Sequence, residues 1–105
     1  MDTHDMMDRD GYPTEKFHEW IDSIQWEQID LMGIAQTIID CWHFGHWGVT
    51  FKRMRNGHRT LHLSTGGWSG NEEIVTALRT TMWWSLCWEE HKRGGHYRFS
   101  IPCKR

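Results

Sequence analysis

Between Ser64 and Glu73 the side-chain period changes from two to 3.6 across three glycines. The stretch Ser64-Thr65-Gly66-Gly67-Trp68-Ser69-Gly70-Asn71-Glu72-Glu73 reads as a strand end, a glycine-rich turn carrying one large aromatic, and the opening of a helix. The chain must therefore build both a sheet and a helix joined by a turn that tolerates positive φ. Such a junction can hold an anion, because free backbone N–H groups and the positive end of the helix dipole point the same way. It can equally be a tight turn. Ser69 and Glu72 stand three apart, as in a capping box, which explains part of the composition without a ligand. Glu72 and Glu73 also put negative charge where an anion would sit. No Lys-Ser/Thr follows the last glycine, so this is not a phosphate-binding P-loop. The candidate ligand-binding residues are Gly66, Gly67, Trp68, Ser69, Gly70 and Asn71, with Trp68 able to stack on a base, anchor a partner or cap the core.

The remaining elements are read from periodicity and punctuation. Residues 1–12 are polar and aperiodic and are expected as a flexible tail, leaving 13–105 as a single α+β domain. Phe17, Trp20, Ile21 and Ile24 follow Pro13 at helical spacing, predicting a helix over 13–21. Ile24, Leu31, Ile34, Ala35, Ile38 and Trp42 form the stripe of a second helix over 24–43, capped from Asp22 or Ser23 and stopped near Gly45. Alternation then predicts strands at 47–55 and 59–65 around an Asn56-Gly57 turn. A third helix runs from Ser69 through the apolar segment Met82–Trp88 to Lys92 and Arg93, ended by Gly94-Gly95. Residues 96–102 alternate once more. The expected architecture is α-α-β-β-α-β, with a three-stranded sheet in order 2-1-3. Its last strand is parallel to the second after a right-handed crossover, and helices cover one face.

That arrangement leaves Thr50, Lys52, Thr60, His62, Ser64, His96, Arg98 and Ser100 on an open sheet face. Lys52, His62, His96 and Arg98 are its candidate binding residues. Charge divides unevenly along the chain: ten acids stand against Arg9 and Lys16 in residues 1–45, but only four against ten basic residues in 46–105. The expected topology gathers Arg53, Arg55, His58, Arg59, Lys92, Arg93 and His96 at one pole. Clustered Arg and Lys can meet nucleic-acid phosphates through counterion release, or can be a solvated hairpin tip. Arg53, Arg55, Arg59, Lys92 and Arg93 form the nucleic-acid alternative, although no RNA-binding aromatic pattern, GXXG clamp or zinc-finger spacing is present.

Three cysteines, Cys41, Cys87 and Cys103, form no CxxC pair and suit reduced, largely buried thiols. Cys41, His43 and His46 have a C-x-H-x-x-H spacing, and zinc would need a fourth ligand such as Cys87 or His91. The simpler reading is a core thiol beside two helix-end imidazoles, so neither a metal nor another cofactor is expected. His62 and His96 could serve as acid and base with Arg98 holding an anion, but no nucleophile elbow or carboxylate pair accompanies them, and no catalytic residue is assigned. No apolar run reaches membrane-spanning length, and the acidic start is unlike a secretory signal. Eight tryptophans are the compositional anomaly, suited to cores, interfaces and base stacking.

The segment Thr65-Gly66-Gly67-Trp68-Ser69-Gly70-Asn71-Glu72, then Trp83-Trp84, then Arg93-Gly94-Gly95-His96-Tyr97-Arg98-Phe99, resembles a family of small bacteriophage proteins, mycobacteriophage-like, over roughly residues 26–102. The resemblance implies a viral origin, the cytoplasm of an infected bacterial host, and action on host machinery, with no catalytic role. The expectation is a non-enzymatic phage accessory protein that binds a host or phage partner through the Trp68 loop or the open sheet face. Two alternatives stand beside it: a nucleic-acid or nucleotide binder, and a small hydrolase or nuclease using His62 or His96.

Overall fold

The computed structural model describes residues 5–24, 30–43, 48–54 and 57–102. Within the described residues these elements follow in order: α1 (Glu15–Ser23), α2 (Leu31–Cys41), β1 (Val49–Arg53), β2 (Arg59–Ser64), α3 (Ser69–Leu78), α4 (Met82–Cys87), β3 (Trp88–Lys92) and β4 (His96–Ile101). The fold is α+β, but the sheet has four strands in order β1-β2-β4-β3, and every pairing is antiparallel. The expected three-stranded sheet in order 2-1-3, with its parallel crossover, is thereby overturned.

The correction originates after Leu78. Thr80 and Thr81 turn their hydroxyls back onto the carbonyls of Ala77 and Leu78, at 2.8 and 2.7 Å, which ends α3. Thr81 then caps α4 by accepting from the Trp84 N–H at 3.2 Å. After six residues the chain extends into β3, so the expected single helix from 69 to 93 is two helices and a strand. Gly94 and Gly95, with φ of +93° and +80°, are the turn of the β3–β4 hairpin rather than a helix stop. A Cβ on Gly95 would run into the Thr65 hydroxyl.

The other boundaries move less. Helix α1 starts at Glu15 rather than at Pro13, which instead pairs with Met7 in an isolated bridge. Its last residue is Ser23, so Asp22 lies within α1; Asp30 caps α2, accepting from Gly33 N–H at 3.0 Å. Trp68, not Ser69, occupies the N-cap position of α3. Gly57 takes φ +86° in the β1–β2 turn, while Asn56, Gly45 and Trp47 lie outside the described residues.

Alternation places Leu61, Leu63, Tyr97, Phe99 and Ile101 on the buried sheet face, against Phe17, Ile34, Ile38, Ile74, Leu78 and Trp83 from the helices. Three tryptophans in and around this core also tie elements together through their indole N–H. Trp83 donates to Leu31 O at 3.0 Å, Trp42 to Ser64 O at 3.0 Å, and Trp68 to Gly11 O at 3.4 Å. The tryptophan content thus supplies both apolar area and cross-element hydrogen bonds. Within the segment expected as a tail, Met6 is buried and Asp8 accepts from the backbone of Asp10 and Tyr12, both at 2.9 Å.

Candidate functional site

The glycine junction is engaged within the molecule. Gly66 and Gly67 take φ of +63° and +74°, and the turn closes with Trp68 N–H donating to Thr65 O at 3.0 Å. The Trp68 ring lies between Tyr12 and His43, 5.3 Å from each, and is half-buried. Ser69 Oγ meets Tyr12 Oη at 2.7 Å. A Cβ on Gly70 would collide with Gly11 O and the Trp68 indole nitrogen, so this glycine permits close backbone approach. Asn71 is fully buried; its Oδ1 accepts from His43 N–H at 2.9 Å, and its Nδ2 donates to His43 O at 2.9 Å and Thr65 O at 3.3 Å. Trp68, Ser69, Gly70 and Asn71 therefore form a clasp between the N-terminal segment, the end of α2 and the start of α3, with Gly66 and Gly67 making the exposed turn before it.

The open sheet face brings together three of its four candidates. His62 pairs directly with Arg98, and Ser64 with His96, whose Nδ1 lies 2.8 Å from Ser64 Oγ. Lys52 sits on edge strand β1 opposite Thr60, away from this cluster. Arg98 is held by Glu89 at 3.5 Å and Glu90 at 3.7 Å, and Lys92 by Glu90 at 3.7 Å. The depression here, about 90 Å³, is small, and its cations already face carboxylates. The Ser64–His96 contact resembles the nucleophile–base pair of a triad, but among the described residues no carboxylate orients His96.

The single basic pole is overturned by the strand pairing. Because β4 runs antiparallel to β2, with Ser64 opposite His96 and Arg59 opposite Ile101, Lys92, Arg93 and His96 lie at the glycine-loop end. Arg53, His58 and Arg59 lie at the other end, and Arg55 lies outside the described residues. Arg59 is folded onto the Phe51 ring, 3.8 Å from its centroid. His46 of the candidate metal cluster also lies outside the described residues. Among those described, no three His, Cys, Asp or Glu side chains gather to hold an ion.

A site that sequence reasoning missed lies on the helix side of the β3 edge. Register slips between Trp88, opposite Phe99, and Glu90, opposite Arg98, so two residues of β3 advance against one of β4. The bulge lets Glu89 and Glu90 both reach Arg98 on the open face, while Trp88 and His91 both stand on the other. His91 stacks on Tyr97 at 4.3 Å and 10°. Trp84, four residues before Trp88, is nearly parallel to it, with centroids 6.5 Å apart and planes at 12°. Arg79, at the end of α3, points its guanidinium over Trp84 at 5.6 Å and Tyr97 at 5.9 Å and donates to Tyr97 Oη at 3.3 Å. Arg79, Trp84, Trp88 and His91 line a shallow, open groove of about 410 Å³. Leu86 and Trp88, 53% and 45% exposed, are with Met54 the exposed large apolar side chains among the described residues. The i, i+4 spacing of Trp84 and Trp88, in a segment too apolar for one buried helix face, was the available signal.

Both described cysteines are structural. Burial pushes the Cys87 thiol up to about 12, and burial with the neighbouring Asp40 carboxylate pushes Cys41 up to about 11. A raised folded-state value stabilises the fold below the ordinary thiol range and is lost as pH climbs through about 9 and above. Native protein at pH 8 is expected to leave Cys41 and Cys87 unalkylated by iodoacetamide, and denatured protein to label both, as read by peptide mapping. Rapid native labelling of either would refute their burial.

No protein-family model, curated protein or solved structure matches this chain. Fold and site together define a small α+β protein with helices on one face of an antiparallel sheet and an exposed aromatic groove at one sheet edge.

Proposed function

We propose that this chain is a non-enzymatic binding protein that takes its partner at the groove between α4 and β3. The observation that carries this is the pair of near-parallel indoles with a guanidinium over one of them, the residue types enriched at binding hot spots. The Trp68 loop is less suited to the role, since Tyr12, His43 and Gly11 already occupy its ring and indole N–H. The open sheet face is less suited too, because Glu89 and Glu90 neutralise Arg98 and Lys92. A nucleic-acid reading based on one basic pole loses its footing when the pole divides. The resemblance to small bacteriophage proteins supports an accessory role in the cytoplasm of an infected bacterium, binding a host or phage component.

The test is capture from infected-cell lysate by immobilised protein, with mass spectrometry of both proteins and small molecules. Trp88→Ala is expected to cut capture at least about tenfold, as for a recognition hot spot, and Trp68→Phe to leave it intact. Capture that survives Trp88→Ala but fails with Trp68→Phe would move the site to the glycine loop and sink this reading.

A further inference from the structure

Resting on that reading, we infer that the groove's ligand is a nucleobase carrying a phosphate, with the base stacked on Trp88 and the phosphate at Arg79. Charge is the first argument. Arg79 meets no carboxylate within ion-pair distance among the described residues, whereas Arg98 on the opposite face has two. The groove lining of Arg79, Trp84, Trp88 and His91 contains no acid, so its fixed charge is positive and an anion complements it.

Shape is the second argument. Trp84 and Trp88 differ in plane by only 12°, so a flat ring laid on one indole is also aligned with the other. His91 and Tyr97 add a second near-parallel stack, at 10°. Aromatic platforms of this kind take bases by stacking, aided by arginine. An acidic peptide would satisfy the charge but has no need of parallel ring planes. Adding a peptide strand to β3 is also disfavoured, because that edge is bulged and carries Glu89, Glu90, His91 and Lys92.

The same chemistry can come from a free nucleotide or from a single strand of nucleic acid. The experiment titrates the full chain with AMP, adenosine, inorganic phosphate and a short oligothymidylate, following tryptophan fluorescence and calorimetry. AMP or the oligonucleotide is expected to bind more tightly than adenosine, and phosphate alone weakly. Binding by AMP identifies a nucleotide site; binding by the oligonucleotide alone, with marked salt dependence, identifies the strand. Trp88→Ala is expected to weaken binding roughly 5- to 100-fold, the range for losing one base stack. Arg79→Gln is expected to weaken AMP and spare adenosine. Circular dichroism confirms that both variants fold, as the exposure of both side chains leads one to expect. Failure of adenosine, AMP and oligonucleotide alike at millimolar concentration, or equal binding by Trp88→Ala, overturns the inference. Trp88-dependent capture from lysate would then still uphold the binding reading, and its loss would remove both.

Discussion

Replacing Asn71 by leucine is expected to destabilise the protein by about 3 kcal/mol, although the two side chains differ little in size. Asn71 is buried and makes three hydrogen bonds, two to the backbone of His43 and one to Thr65 O. Each is worth about 1 kcal/mol net, and removing the amide takes a partner from all three backbone groups at once. For a domain of this length, 3 kcal/mol corresponds to a fall in Tm of roughly 12–24 °C. Thermal unfolding followed by circular dichroism measures it, with Glu73→Ala, at an exposed position of the same helix, as the neutral comparison. A loss under about 1 kcal/mol would mean that water replaces the amide, and the clasp between α2, the glycine loop and α3 would then not be a rigid unit.

That clasp was visible in the sequence, and its meaning was not. Three glycines and an asparagine after a strand mark a turn that only special backbone can make, and the structure places positive φ at Gly66 and Gly67. Which groups fill the turn is a long-range matter. Tyr12 and His43 reach Trp68 from 56 and 25 residues away in sequence, and no local pattern encodes that meeting. Alternation in β1, β2 and β4, and the helical stripe of α2, were legible because their inward-facing residues keep a single period.

β3 was not legible, for a physical reason. Glu89, Glu90, His91 and Lys92 have weak strand preference and continue the helical run of Met82–Trp88 without a break. Their extended state comes from pairing with β4 through Gly94 and Gly95, so tertiary context overrides propensity. The candidate groove was lost with the strand, since Trp84 and Trp88 read as one face of a continuous helix rather than as the wall of a cleft. Gly94-Gly95 between a five-residue and a six-residue run was the one local hint of a hairpin.

Trp83→Ala is expected to have the larger effect, about 3–5 kcal/mol, the usual cost of emptying a buried aromatic site. Trp83 has no exposed surface, packs on Phe99 at 4.8 Å and donates its indole N–H to Leu31 O at 3.0 Å. It therefore joins α4 to the central strand β4 and to the first turn of α2. Small domains hold only about 5–15 kcal/mol in total, so the variant should be partly unfolded at 37 °C or close to it. Trp83→Phe separates the two contributions. It keeps a ring against Phe99 while losing the hydrogen bond and part of the volume, and should cost about 2 kcal/mol less than alanine does. Urea unfolding of the three proteins, followed by near-ultraviolet circular dichroism, gives the series. If alanine and phenylalanine cost the same, the bond to Leu31 and not the packing carries this residue's contribution. If neither costs more than about 1 kcal/mol, α4 is not anchored in the core, and the floor beneath Trp84 and Trp88 is too loose to hold a shaped groove.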